Sequence, residues 1–437
     1  MTPANRYNYP PVYHQKSAET LETALNTVPA YLKWKAFDPG ADKPVDQRYE
    51  AMPELIKQII REHFPAGLMP NHRDLEEGFR LGEIEYTFTS GSTSERVVNI
   101  WNQGWWDAAE AASWKLNANL ANLDYPQKEA KLASSLNVGI CCEEDLPMEY
   151  RTVSRKLYLN EKISLIQWQP RHYERMAREL EIFKPVILEA NPSLLTRLAF
   201  WAMDKGVKMY SPAVIVFTYE FISAIHLAAI RRVFTSPLVS SYGTTETGFV
   251  LEECEKGFFH QNIEFCRIDY HPLKDEYGGP ELGRILVTTF GNPWNTVVRF
   301  DTGDLVRLHP SGECPCGRKQ GLIAAAVEGR VANVTFTGGG QLITTMALDN
   351  ALGNIEGIRD YRLEQNSPKQ YELQLMIDMI NGNAGIIRDK AFHALESLYG
   401  RDGVYDIKIV TNIFPGPAGK FRRTQANFDF DTRGLFV

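Results

Sequence analysis

The sequence predicts an α/β protein in two parts. A large N-terminal domain, residues 1–329, combines mixed or parallel sheets, helices and an antiparallel barrel-like subdomain; a small α+β domain, 330–437, follows. Three observations predict this. Between about 82 and 234, short apolar runs alternate with stretches of helical spacing. From about 257 the texture changes to apolar/polar alternation broken by Gly, Asn and Pro. Near 329, Gly329-Arg330 precedes a glycine-rich turn, Gly338-Gly339-Gly340, after which strand and helix patterns begin afresh.

Segment 1–80 is mixed and polar at first, and residues 54–63 have helical spacing. Residues 82–89 read as a strand entering a loop of Ser, Gly and Thr, and 104–122 as one helix. The runs 186–188 and 214–217 read as buried strands, and 192–205 and 222–234 as helices. That order implies a largely parallel sheet covered by helices. Segments 258–269, 283–290 and 296–308 read as antiparallel strands. In the last part, 361–364, 372–378 and 405–410 read as strands and 384–399 as a helix.

With 44% hydrophobic and 23% charged residues, the chain can bury a sizeable core. Its net charge of −7 argues against nucleic acid as the main partner, because a phosphate backbone demands a basic face. Without an 18-residue apolar stretch, no membrane span is expected. The polar N-terminus lacks the apolar core of a signal peptide, and the six cysteines read as thiols or metal ligands of a cytoplasmic protein.

Four segments can carry chemistry. Thr89-Ser90-Gly91-Ser92-Thr93-Ser94 packs hydroxyls and amides at a density that suits a phosphate chain, without the Gly-Lys-Ser/Thr of a P-loop. Ser241-Tyr242-Gly243-Thr244-Thr245-Glu246 offers a ring for a base, a hydroxyl for a phosphate and a carboxylate for magnesium. Arg299-Phe300-Asp301-Thr302-Gly303-Asp304 offers an aspartate as a paired acceptor for ribose hydroxyls, and also makes good hairpin-turn chemistry. The loop 415–423 presents Lys420 among Gly and Pro as a mobile point charge.

Taken together, in this order and at these separations, the four segments resemble the adenylate-forming superfamily: acyl-CoA synthetases, peptide-synthetase adenylation domains and luciferases. Within it the sequence is most similar to phenylacetate–CoA ligases, from about Thr89 to Lys420. The resemblance implies ATP-dependent activation of a small, aromatic or apolar carboxylic acid as acyl-AMP, then transfer to CoA. It implies that Thr89, Ser90, Gly91, Ser92 and Thr93 cradle the β- and γ-phosphates. Thr218, Tyr219 and Glu220 stand where the family keeps a Gly-Ala-Glu-like stretch bordering adenine and acyl group. Tyr242, with Gly243 and Thr244, is expected against the adenine, Thr245 at the α-phosphate, Glu246 on Mg²⁺, Asp304 on the ribose with Arg330 assisting, and Lys420 between carboxylate and α-phosphate.

The sequence departs from the family in two places. Ser94-Glu95-Arg96 replaces a Gly-containing basic stretch, and Ala332-Asn333 stands where an Asp-Asp hinge is common. These departures keep other outcomes open: transfer to an amine or a carrier protein, adenylation of a non-carboxylate such as nitrite, or nucleotide binding without catalysis. Retention of both Glu246 and Lys420 argues against the last.

Cys254, His260, Cys314 and Cys316 supply four N/S ligands, the number of a closed structural zinc site, though their spacing is not that of a standard finger. Scattered reduced cysteines are the alternative from spacing alone. Some phenylacetate–CoA ligase-like proteins hold zinc in a similar arrangement. Cys141-Cys142 reads as an unremarked pair and Cys266 as core. The expected partners are a small-molecule acid and CoA or another acceptor, and a homodimer is left open.

Overall fold

The structure is a computed structural model, and it describes residues 7–88, 97–123, 126–134, 142–380, 382–416 and 419–437. Thr89–Thr93 and Cys141 lie outside the described residues. The chain divides into two compact units, each assembled from separate stretches. One is built from 1–121, 241–327 and 436–437, the other from 122–240 and 328–435.

The first unit is dominated by antiparallel strands. Cys266–Pro272, Leu282–Thr289 and Phe300–Leu308 lie side by side, followed by Ile323–Arg330, Phe259–Gln261 and Gly248–Glu253. The alternation read from 257 onward therefore corresponds to real strands, whose inward residues Val250, Ile268, Ile285, Val287 and Val306 form a core. A second core gathers Leu21, Leu25, Tyr31 and Tyr49 against Val297 and Phe300. It rests on a helix, Pro11–Thr27, that the polar N-terminal composition concealed. Proline at its first position supplies a preset φ and loses no needed donor. The stretch 104–122 is two helices, Gln103–Trp114 and Ala118–Ala121. Asn102 caps the first through Oδ1, which accepts from the Trp105 N–H at 2.8 Å. Asn117 starts the second in the same way, accepting from the Asn119 N–H at 2.8 Å.

In the second unit the strands Val214–Phe217, Ile187–Ala190, Glu129–Leu132 and Lys156–Tyr158 run parallel in that order. Their apolar face packs against the helices Pro170–Phe183, Pro192–Lys205 and Ala224–Val233 through Leu132, Leu157, Leu188, Leu195 and Phe217. The C-terminal stretch adds a sheet ordered Val404–Ile409, Gln370–Ile377, Ile358–Ser367, Thr424–Ala426, with helices Thr345–Gly353 and Ala384–Tyr399. Its core, including Leu363, Leu373 and Ala391, extends to Ile225. A buried polar set lies beside it. Asp349 accepts from the Ser223 hydroxyl at 2.5 Å and the Ala224 N–H at 2.6 Å. Arg423 pairs with Asp360 and donates to Ser193 Oγ at 3.1 Å. Among the described residues no helix is long and apolar enough to cross a membrane.

Candidate functional site

In the first unit, the end of the strand Leu238–Thr244 and the strand Phe300–Leu308 bring two sequence-assigned residues together. The Tyr242 hydroxyl donates to Asp304 Oδ2 at 2.9 Å. Gly243 is obligatory there: a Cβ at this position would fall 2.0 Å from the carbonyl oxygen of Gly248. The turn that follows closes with the Thr247 N–H on the Thr244 carbonyl at 3.1 Å, with the two threonine hydroxyls 3.0 Å apart. Thr245 is half-buried at its tip and Glu246 is buried. Among the described residues no hydrogen-bond donor reaches Glu246 Oε1, and Lys57 Nζ stands 3.6 Å from it. A buried carboxylate oxygen without a donor, already facing a cation, fits a hard metal ion.

In the second unit, Thr218, Tyr219 and Glu220 leave the carboxyl end of the strand Val214–Phe217, the end at which parallel sheets bind ligands. Glu220 Oε2 accepts from the backbone N–H of Phe421 at 3.1 Å, so Lys420 is held one residue from this contact. Glu220 Oε1 accepts from Asn191 Nδ2. Burial pushes the Glu220 carboxyl up, against the opposing pull of Arg423, Asn191 and Lys420. The lysine loop is closed by the Gly416 N–H on the Lys420 carbonyl at 2.9 Å, and Ser134 Oγ donates to the Gly419 carbonyl at 3.1 Å. Tyr219 has φ +79°, a conformation rarely adopted by a bulky side chain. It is held there by its hydroxyl, which donates to Glu189 Oε1 at 2.7 Å. Thr218 Oγ1 donates to the same oxygen at 3.0 Å, and Lys131 Nζ lies 3.2 Å from Oε2. Arg330 ends the strand Ile323–Arg330, half-buried.

Cys254, His260, Cys314 and Cys316 converge in the first unit, their ligand atoms all within 4.8 Å of one another. Cys254 Sγ and Cys314 Sγ are 3.7 Å apart, close to the edge of a tetrahedron with zinc–sulfur bonds of ~2.3 Å. His260 Nε2 lies 3.3 Å from Cys316 Sγ, which makes Nε2 the inward nitrogen; Nδ1 is buried without a partner among the described residues. Two turns of the same form present the thiols. Cys254 Sγ accepts from the Lys256 N–H at 3.4 Å, and Cys314 Sγ from the Cys316 N–H at 3.5 Å. Each turn closes on a glycine with positive φ, Gly257 at +81° and Gly317 at +85°.

No protein-family model matches the sequence, and no curated protein matches it. Solved structures do. One is 2-hydroxyisobutyryl-CoA ligase in the postadenylation state in complex with R3-HIB-AMP, with a TM-score of 0.73 at 17% identity, covering 98% of this chain and 92% of that one. The chain has the adenylate-forming fold. The same ligase with 2-HIB-AMP and CoA in the thioesterification state gives a TM-score of 0.56 at 17% identity, over 97% of this chain and 91% of that one. Anthranilate CoA ligase AuaEII with anthranoyl-AMP gives 0.52 at 13% identity, over 77% and 65%.

On this adenylate-forming fold the sequence-assigned residues divide between the units. Tyr242, Gly243, Thr244, Thr245, Glu246 and Asp304 belong to the first, and Thr218, Tyr219, Glu220, Arg330 and Lys420 to the second. Sequence reading missed Lys57, Lys131, Glu189 and Asn191. Asn191-Pro192 is legible as a helix start, and Asn191 Oδ1 does cap the Leu194 N–H at 3.1 Å. Its second bond, to Glu220, spans 29 residues and leaves no local signal.

Proposed function

We propose that the chain activates a small carboxylic acid with ATP, forming an acyl-adenylate and releasing pyrophosphate, and then passes the acyl group to CoA. The observation that carries this reading is the tie between the Lys420 loop and Glu220, at the carboxyl end of a parallel sheet. A carboxylate attacking the α-phosphate brings two anions together, so positioning and charge neutralisation dominate the barrier. Lys420 supplies the point charge, and the short loop anchored on Glu220 and Ser134 limits where its stem begins. We assign Tyr242 and Asp304 to the nucleoside, Arg330 to assist at the ribose, and Thr89–Thr93 to the pyrophosphate. Thr245 donates to the α-phosphate. Magnesium, when bound, neutralises phosphate oxygens, and Glu246 is the carboxylate that fits it. The acid we expect is aromatic or apolar, and 330–437 is the part we expect to move between half-reactions.

The four-residue thiol and imidazole cluster fits a structural zinc ion. All four ligand positions come from the protein, so no open position is left for chemistry. A second acceptor reading, transfer to something other than CoA, is kept by the departure at Ala332-Asn333, which stand where the family commonly has an Asp-Asp hinge.

The direct test is mass spectrometry of products with Mg-ATP and a panel of aryl and short alkyl acids, with and without CoA. AMP, pyrophosphate and an acyl-CoA are expected for one acid. AMP without acyl-CoA moves the reading to another acceptor, and no AMP with any acid overturns it. Lys420→Ala is expected to lower adenylate formation by roughly a hundredfold or more, with much less effect on transfer from supplied adenylate. Equal loss in both steps removes the assigned role.

A further inference from the structure

Thr218, Tyr219 and Glu220 make a turn of a kind that chains seldom adopt. The Glu220 N–H donates to the Thr218 carbonyl, only two residues back, at 3.1 Å, with Tyr219 between them at φ +79°. This is a γ-turn of the strained hand, and a bulky tyrosine is poorly suited to its centre. Tyr219 is also 38% exposed, so close packing does not hold it there.

The neighbouring strand end holds it instead. Glu189 Oε1 accepts from the Tyr219 hydroxyl at 2.7 Å and from the Thr218 hydroxyl at 3.0 Å. Asn191, two residues on, donates to Glu220 Oε1. Lys131, on the next strand Glu129–Leu132, completes the clamp. Its Nζ lies 3.2 Å from Glu189 Oε2 and 5.4 Å from the centroid of the Tyr219 ring. Burial alone would raise the Glu189 carboxyl, yet Lys131, with the Tyr219 bond and Lys156, holds it below the usual range. Both hydroxyls therefore meet a carboxylate, and charge-assisted bonds are the stronger kind.

The far end of the turn reaches the lysine loop, where Glu220 Oε2 accepts from the Phe421 N–H at 3.1 Å. A strained conformation persists only where its surroundings over-determine it, and such strain gathers at functional sites. Here a charged pair is committed to keeping one strained residue in place, directly before the residue that ties down the loop.

We propose that Glu189, backed by Lys131, is a positioning residue for adenylation: it keeps Tyr219 in the γ-turn, and the turn presents Glu220 to the backbone of the Lys420 loop. The inference rests on the adenylation reading for what Lys420 does, while the clamp itself can be followed without turnover.

The experiment uses the full chain and removes the clamp with Lys131→Met and Glu189→Leu together, so that no charge is stranded. The same pair is also introduced beside Tyr219→Gly. One readout is kcat and KM in ATP–pyrophosphate exchange driven by phenylacetate, benzoate or isobutyrate, measured well below the melting temperature. The other is deuteration of the Phe421 amide. Without the clamp, kcat is expected to fall about tenfold and the Phe421 amide to deuterate about tenfold faster, with KM for ATP changed by less than about twofold. In the Tyr219→Gly background the same pair should change either readout by less than about twofold, because glycine occupies positive φ without strain. A merely structural pair would cost the same in both backgrounds. Glu189→Gln keeps an acceptor for the two hydroxyls and should lie between the parent and the clamp-free protein. If the clamp-free pair does not fold, Tyr219→Phe removes one hydroxyl bond and carries the same readouts, with losses of about threefold expected. Unchanged Phe421 deuteration, unchanged kcat in an active parent, a loss confined to KM, or an equal loss beside Tyr219→Gly overturns the inference. If the parent shows no pyrophosphate exchange with any acid, a Phe421 amide that still loosens with the clamp, and only when Tyr219 is present, keeps the inference and overturns the adenylation reading. Acid-dependent pyrophosphate exchange with a Phe421 amide indifferent to the clamp does the reverse.

Discussion

Arg423 and Asp360, in the second unit, are both about 3% exposed and face each other directly, with His226 Nε2 3.4 Å from Asp360 and Ser193 taking another guanidinium bond. Cys254, Cys314 and His260, in the first unit, are as deeply buried, yet their inward atoms face one another. Arg318 approaches only the edge of that cluster, where it is paired with Glu255 at 3.1 Å. The first set contains its own counter-charge. Burial alone would raise the Asp360 carboxyl, but Arg423 and His226 hold it well below the usual range. The second set is a collection of donors to a centre that no described residue fills. The difference separates a buried polar group that serves the fold from one that serves a ligand: the first is satisfied by side chains, and the second leaves atoms facing a common centre.

The comparison breaks most visibly if the thiol cluster is self-sufficient. One zinc ion per chain is expected by elemental analysis. Cys314→Ser, or a strong chelator, should lose it and lower the melting temperature by roughly 10 °C or more. A metal-free protein with an unchanged melt would place this cluster in the same class as the Arg423 set.

Next in size is Arg423→Met. It strands Asp360 and should cost about 3–5 kcal/mol in chemical denaturation. The pair Arg423→Met with Asp360→Leu should recover most of that loss, because removing both charges removes the unpaired one. A double variant as weak as the single would mean that Arg423 acts through packing.

A buried acid of the first unit sharpens the distinction by pH. Burial raises the Glu252 carboxyl from 4.5 to about 8, with Ser241 Oγ donating to it at 2.6 Å. The native state then keeps a proton that the unfolded chain releases above its own value of 4.5. Native protein binds more protons throughout that window, so stability falls as pH rises from about 4.5 to 8, by at most ~1.4 kcal/mol per unit. Glu252→Gln should lack this slope, so that its melting temperature gains on the parent between pH 5 and pH 8. Parallel melts would place a counter-charge near Glu252. The smallest expected effect is Asn102→Ala, about 1 kcal/mol from the lost helix cap, with no pH dependence.

Local signals carried most of the fold. The apolar period of 192–205 announced the helix Pro192–Lys205, which Gly206 closes with φ +64°. The alternation of 283–290 and 296–308 gave two neighbouring strands. The helix Pro170–Phe183 was not read from the sequence, although its buried positions, His172, Met176, Glu179, Leu180 and Phe183, keep helical spacing; two of the five are polar, which lowers the apolar content of the stripe but not its period. In the candidate site the turn Tyr242–Glu246 was legible as a run, whereas the bond from Tyr242 to Asp304 spans 62 residues. Lys57, near Glu246, and Lys131, near Tyr219, belong to segments without motif character, and only the three-dimensional arrangement selects them. Cys254 and Cys314 stood out by residue type, but the matching turns that aim them depend on Gly257 and Gly317.

The discontinuity of both units bears on how the chain is made. Residues 122–240 bury Ser193, Ser223 and His226 against Asp349 and Arg423, which leave the ribosome more than a hundred residues later. Phe436 returns still later to pair with Leu273 beneath Arg284. During synthesis the parallel sheet is therefore finished while its polar partners are still missing, and neither unit closes until the residues near 430 emerge. Translation would expose Ser193 and His226 to water, and to chaperones, for the whole of that interval.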